Sequence, residues 1–246
     1  MKKTYSYILI IYILMQFSAY LGLPLTFSAV KEFGYSAAEA KMLAGPIWTV
    51  FSFSVTLILV VFLLRKERKA QADVRGAAGV ASSIIWAIAG VFLAFAAQVI
   101  AANIEIRLFG VDPGSENTRG ILEMIKIFLP VMFITSVIGP ILEEIVFRKI
   151  IFGSLYHRFG FLLSALISSV IFSLAHGEPQ HLLLYSAMGF TFAFLYVKTK
   201  RILVPIFAHV AMNTFVILVQ SVYKEDIERM MREAEQIQGF IGGLFL

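Results

Sequence analysis

Gly139-Pro140-Ile141-Leu142-Glu143-Glu144-Ile145-Val146-Phe147-Arg148 places two adjacent carboxylates and a guanidinium in a run otherwise apolar enough for lipid. A charge at bilayer depth costs several kcal/mol or more, so such groups persist where they pair with one another or line a wet cavity. The surrounding chain explains why lipid is the right frame. Its 246 residues are 59% hydrophobic and only 15% charged, with a mean hydropathy of +0.83. A soluble domain carries roughly 25% charged residues and about 45–50% apolar ones. The composition therefore describes an integral membrane protein.

Charge-free windows predict the spans. They run Thr4–Val30, Met42–Leu64, Gly76–Asn103, Ile127–Leu142 (continuing through the glutamates to Phe152), Phe159–Ala175, Leu182–Val197 and Ile202–Tyr223. The first is too long for a signal-peptide core, which is about 7–15 residues. The expectation is an all-α polytopic bundle of seven spans in one membrane-embedded domain, residues 1–246. Ile104–Lys126 reads as an amphipathic segment with a turn at Asp112-Pro113-Gly114, and Gly177-Glu178-Pro179-Gln180 as a tight turn. The C-terminal segment, charged over Lys224–Gln238 and apolar over Gly239–Leu246, reads as amphipathic, and an eighth helix there is the alternative.

Basic residues set the expected orientation. With a cytoplasmic N-terminus, Lys2 and Lys3, the Arg65–Arg75 cluster, Arg148 with Lys149 and Arg158, and Lys198 with Lys200 and Arg201 all fall inside. The net charge of +5 then belongs to loops facing anionic lipid, and no basic run interleaved with aromatics suggests nucleic acid. Cysteine is absent, which excludes disulfides, thiolate metal sites and a cysteine nucleophile. A compact, tail-free layout points to a bacterial cytoplasmic membrane.

On an α-helix, Glu144 and Arg148 share a face and can pair. Glu143 points about 100° away and is free to project into a cavity as a general base. The plainer alternative is a structural ion pair near the interface. His176 ends the fifth window, and His209 with Asn213, four residues on, shares a face of the seventh. Polar groups on three apolar helices must find partners, and they find one another most cheaply. His157 and His181, at helix ends, read as bland.

Such a cluster can direct a deprotonated water at a carbonyl and stabilise the oxyanion that forms. Alternatively, Glu143, His176 and His209 could hold Zn²⁺ with an open position. There is no His-Glu-x-x-His or Gly-x-Ser-x-Gly motif, and Ser154 and Ser173 have no base beside them. Helical rise gives a depth for each group, at about 1.5 Å per residue. His176 lies roughly 25 Å from Phe159, near the face opposite the other groups, unless the fifth helix tilts or starts outside the hydrocarbon. Gly153 and Gly160 could let Phe152–Gly160 lie in the interface first.

Glu143-Glu144-x-x-x-Arg148, Phe172-x-x-x-His176 and His209-x-x-x-Asn213, in that order on successive membrane helices, resemble the CAAX protease and bacteriocin-processing (CPBP, or Abi) family. The resemblance covers about residues 120–220. It implies an intramembrane endopeptidase acting on a membrane-associated protein or peptide. By position, Glu143 works with His176 on the water, His209 and Asn213 form the oxyanion site or complete a zinc site, and Glu144 with Arg148 supports the geometry or meets substrate. The competing functions are an ion-coupled transporter, which no inverted repeat supports, and a non-catalytic scaffold.

Overall fold

The computed structural model describes residues 2–65, 76–222 and Arg229, and among these residues there are helices and no strands. The basic cluster after Arg65 and, apart from Arg229, the C-terminal amphipathic segment lie outside the described residues. Helices α1 (Lys3–Phe17) and α2 (Ala19–Glu32) meet at a 54° bend. They are followed by α3 (Ala37–Arg65), α4 (Val80–Phe109) and the short α5 (Glu116–Ile127). A nearly continuous helical run then comprises α6 (Pro130–Phe133), π1 (Ile134–Ile138), α7 (Gly139–Glu143), π2 (Glu144–Phe152) and α8 (Gly153–Leu174). A 3₁₀ turn (Pro179–His181) leads into α9 (Leu182–Thr199) and α10 (Leu203–Val222).

Five helices among the described residues are long and apolar enough to cross a membrane, or six if the bent α1–α2 pair counts as one span. Seven or eight separate spans do not emerge, because two expected spans fuse into the 45-residue run Pro130–Leu174. That run is interrupted at Gly160, where φ 70° and ψ −172° leave the helical region. Glycine supplies that conformation because it carries no Cβ. The break falls at one of the two glycines that the depth argument needed.

The first window, expected as one spanning helix, is bent at Ser18. There the Ser18 hydroxyl donates to the Met15 carbonyl at 2.6 Å and accepts from the Trp48 indole N–H at 3.1 Å. Trp48 reaches it because residue 22 is glycine, and a Cβ there would stand 1.9 Å from the indole ring.

The amphipathic reading of Ile104–Lys126 is also corrected at its start. Helix α4 continues to Phe109 and stops at Gly110, whose φ of 66° makes a left-handed C-cap. Helix α5 then begins at Ser115, whose side chain accepts the Thr118 N–H at 3.0 Å.

The run from Pro130 to Leu174 is the hub. In its most apolar stretch 61% of residues are buried, against 11% for α3 and 17% for α4, which turn apolar side chains such as Ile58 and Phe92 outward. The core gathers Ile8 and Tyr12 of α1, Leu142, Val146 and Phe147 of the hub, Phe172 of α8, Phe192 of α9 and Met212 of α10. Pro140 has no N–H to bond back to residue 136, which accounts for the loosened π1 turn just before it. The glutamates and Arg148 thus sit on the most enclosed element of the bundle.

Candidate active site

Glu143 closes α7 and Glu144 opens π2, where i→i+5 bonding replaces the α-helical ladder. Such helices are uncommon and concentrate at functional sites. The wider turn still leaves Glu144 and Arg148 facing one another, with Oε2 and Nε 3.3 Å apart. Neither belongs to a loop: their side chains are 0% and 1% exposed. This corrects the placement of Arg148 among the basic loop residues.

The Arg148 guanidinium lies 4.2 Å over the Phe172 ring and 5.2 Å over Phe192. A desolvated cation over an aromatic face gains about 2 kcal/mol. Its nitrogens find no hydrogen-bond acceptor in good geometry among the described residues, and Glu144 Oε2 finds no donor in good geometry. The pair is held by charge and enclosed by rings.

His209 comes in from α10 and meets both glutamates. Its Nδ1 lies 2.9 Å from Glu144 Oε1, and against a carboxylate that nitrogen carries the proton and donates. Its Nε2 is thereby turned toward Glu143, 3.7 Å from Oε2. The ring stacks on Phe192 at 4.6 Å. The two carboxylates are unlike in surroundings: Glu144 is sealed in, whereas Glu143 keeps 20% of its side-chain surface open. Carboxylates in dissimilar environments are suited to dissimilar tasks.

His176 follows the end of α8 and is half-buried. Its Nδ1–H donates to the Phe172 carbonyl at 2.8 Å, which leaves Nε2 as the free ring nitrogen. Phe172 is the common neighbour. Its ring meets His176 at 4.5 Å, His209 at 6.0 Å and Phe147 at 5.2 Å, besides lying under Arg148. One phenylalanine thus ties the second motif to the other two. Asn213 lies one turn beyond His209 on α10 and is half-buried, and none of the bonds that join the other groups reaches it.

Two further groups belong to the surroundings, and sequence patterning offered no sign of either. Tyr12 of α1 is 5% exposed, packs edge-on against Phe147 at 5.9 Å, and lies within electrostatic reach of Glu143 and Arg148. Tyr185 of α9 stacks on His176 at 4.1 Å. His181 is not bland, because Nδ1 faces Glu105 Oε2 at 3.1 Å and Nε2 faces the Gly114 carbonyl at 3.0 Å. His157 and Ser154 are exposed, and Ser173 is spent on the Leu182 carbonyl at 3.1 Å.

The donor types suit zinc, which accepts imidazole nitrogen and carboxylate oxygen at about 2.0–2.2 Å. Their placement does not: among the described residues no three His, Asp, Glu or Cys side chains converge on one point able to hold an ion.

An apolar helical bundle that joins two carboxylates, two imidazoles and a guanidinium through His209 and Phe172 has the make-up of a membrane-embedded peptidase. The family model described as type II CAAX prenyl endopeptidase, Rce1-like, matches residues 125–215. The chain is 47% identical over 252 residues to a Bacillus subtilis (strain 168) protein named as membrane peptidase YdiL, with 100% of both chains covered. It is 33% identical over 240 residues to the membrane-embedded CAAX protease MroQ of Staphylococcus aureus (strain USA300), with 93% of each covered. No solved structure matches the chain significantly. The chain belongs to the Rce1-like CAAX prenyl endopeptidase family and is an integral membrane protein.

Proposed function

We infer that the protein is an intramembrane endopeptidase that hydrolyses a peptide bond of a membrane-associated protein or peptide. The carrying observation is the asymmetry of the glutamate pair: Glu144 sealed against Arg148 and His209, Glu143 partly open and facing His209 Nε2. In this reading a water lies between Glu143 and the free Nε2 of His176. Glu143 takes its proton as the oxygen bonds to the substrate carbonyl carbon, and His176 orients the water. The carbonyl oxygen becomes an oxyanion that accepts hydrogen bonds from His209 Nε2–H and the Asn213 amide. For Nε2 to donate, His209 carries a proton on each nitrogen, the Nδ1 proton going to Glu144. As the C–N bond breaks, the proton held by Glu143 passes to the leaving nitrogen.

The same reading takes residues 1–246 as one domain with a cytoplasmic N-terminus. It also divides Pro130–Leu174 at Gly160 into two crossings, giving seven. A 45-residue helix is about 67 Å long, roughly twice the hydrocarbon thickness. The test uses the purified chain in proteoliposomes with a membrane-inserted reporter peptide. Glu143→Ala, His176→Ala and His209→Ala should each abolish cleavage in protein that still folds, with a lowered unfolding midpoint for His209→Ala, which strands the buried Glu144. Folded variants that still cleave would remove the assignment.

A further inference from the structure

His176 is the site imidazole with no carboxylate on its bonded nitrogen. Its Nδ1–H goes to a backbone carbonyl of its own helix, and a single such bond does not stop a ring at a helix end from tilting. What confines it is aromatic. The edge of Phe172 meets it on one side, and Tyr185, from the next helix, lies nearly parallel to it at 4.1 Å and 24°.

Tyr185 is itself fastened. Its hydroxyl donates to Glu178 Oε2 at 2.6 Å, in the length range of a charge-assisted bond. Glu178, 5% exposed, sits in the turn just past His176. The same Oε2 accepts the Ser115 hydroxyl at 2.7 Å, and Oε1 accepts the Asn117 N–H at 3.0 Å, at the start of α5. Ser115 also caps that helix through the Thr118 N–H. A carboxylate on the first turn of a helix is further favoured by the helix dipole. The tyrosine ring therefore cannot swing away from His176 without breaking a buried, ionised hydrogen bond.

We propose that Tyr185 is a positioning residue for His176, a rigid plate held by Glu178 and Ser115 that fixes where the free Nε2 points. This rests on the reading of His176 as a catalytic group. The geometry of an attacking water is demanding, and a displacement of about 1 Å can cost about a hundredfold in rate. The arrangement also makes the capped end of α5 part of the same rigid unit as the site, although α5 contributes no group to the chemistry.

The test compares kcat and KM for reporter cleavage by the full chain carrying Tyr185→Leu, Tyr185→Phe, Glu178→Gln or His176→Ala, with unfolding midpoints measured alongside. Tyr185→Leu removes the plate and should lower kcat between about tenfold and a hundredfold with KM nearly unchanged. Tyr185→Phe keeps the ring and loses the tether, so its kcat should lie between leucine variant and parent. Glu178→Gln takes the charge and one acceptor oxygen from the tether with little change of shape and should lower kcat without raising KM, which keeps the test decisive if the leucine variant does not fold. A parental kcat in folded Tyr185→Leu or in Glu178→Gln, with His176→Ala inactive, would overturn the positioning role alone. Parental cleavage by His176→Ala would instead overturn the reading it rests on.

Discussion

Arg148→Met tests how the site is held together. The substitution removes a guanidinium that is 1% exposed and 3.3 Å from a carboxylate that is 0% exposed. Methionine occupies much of the stem's volume, so the loss is mainly electrostatic. Glu144 keeps the His209 Nδ1–H but loses its only cation of fixed charge at contact distance among the described residues. Removing one partner of a buried pair costs about 3–5 kcal/mol. For a chain of this size about 1 kcal/mol lowers the unfolding midpoint by about 2–4 °C, so the expected drop is about 6–20 °C. Fluorescence of Trp48 and Trp86 in detergent micelles would follow it. Adding Glu144→Leu removes the stranded charge as well. The double variant should recover much of the loss, short of the bond that His209 no longer makes, about 1–3 kcal/mol. A parental midpoint for Arg148→Met, or a double variant no better than the worse single one, would refute the buried-pair reasoning.

Other consequences can be checked independently. Gly22→Ala drives a Cβ into the Trp48 indole and should destabilise the bundle by about 1–3 kcal/mol, read as a lower unfolding midpoint. Burial alone would raise the Glu178 carboxyl, but hydrogen bonds from Tyr185, Asn117 and Ser115 outweigh it and hold the group below the usual carboxylate range. Its folded pKa lies under its unfolded one, so its stabilisation is present above the unfolded value and is lost as pH falls through the folded value. An acid titration of stability should therefore fall more steeply in the parent than in Glu178→Gln. In the proposed mechanism Asn213→Ala removes one oxyanion donor, so it should lower kcat by about 10²–10³ with little change in KM.

The helical class and the membrane setting were legible because apolar length leaves little else possible. Span boundaries are harder, since a charge in the sequence does not always end a helix. Glu105 shows why. It is carried inside α4 because His181 and the Leu184 N–H satisfy it from another helix, a pairing that one-dimensional patterning does not reveal. Gly153 and Gly160 are alike in residue type, and only the folded backbone shows that the break falls at Gly160.

At the site, spacing correctly set Glu144 beside Arg148, although the local helix is π rather than α. It did not foresee that His209 would bridge the two carboxylates. Nor could it find Tyr12 or Tyr185, because an aromatic residue in an apolar window carries no mark of what it touches. Phe172 was visible only as a motif letter. Its role as common neighbour of Arg148 and both histidines depends on how three helices cross.

The most direct measurement is single-turnover cleavage of a membrane-inserted reporter by Glu143→Gln, in protein whose unfolding midpoint matches the parent. The amide keeps the shape of Glu143 and its reach toward His209 but cannot take a proton from water. The expected result is a loss of at least about 10²–10⁴-fold in rate with substrate binding retained. A rate within a few-fold of the parent's would contradict the assignment of Glu143 as the base.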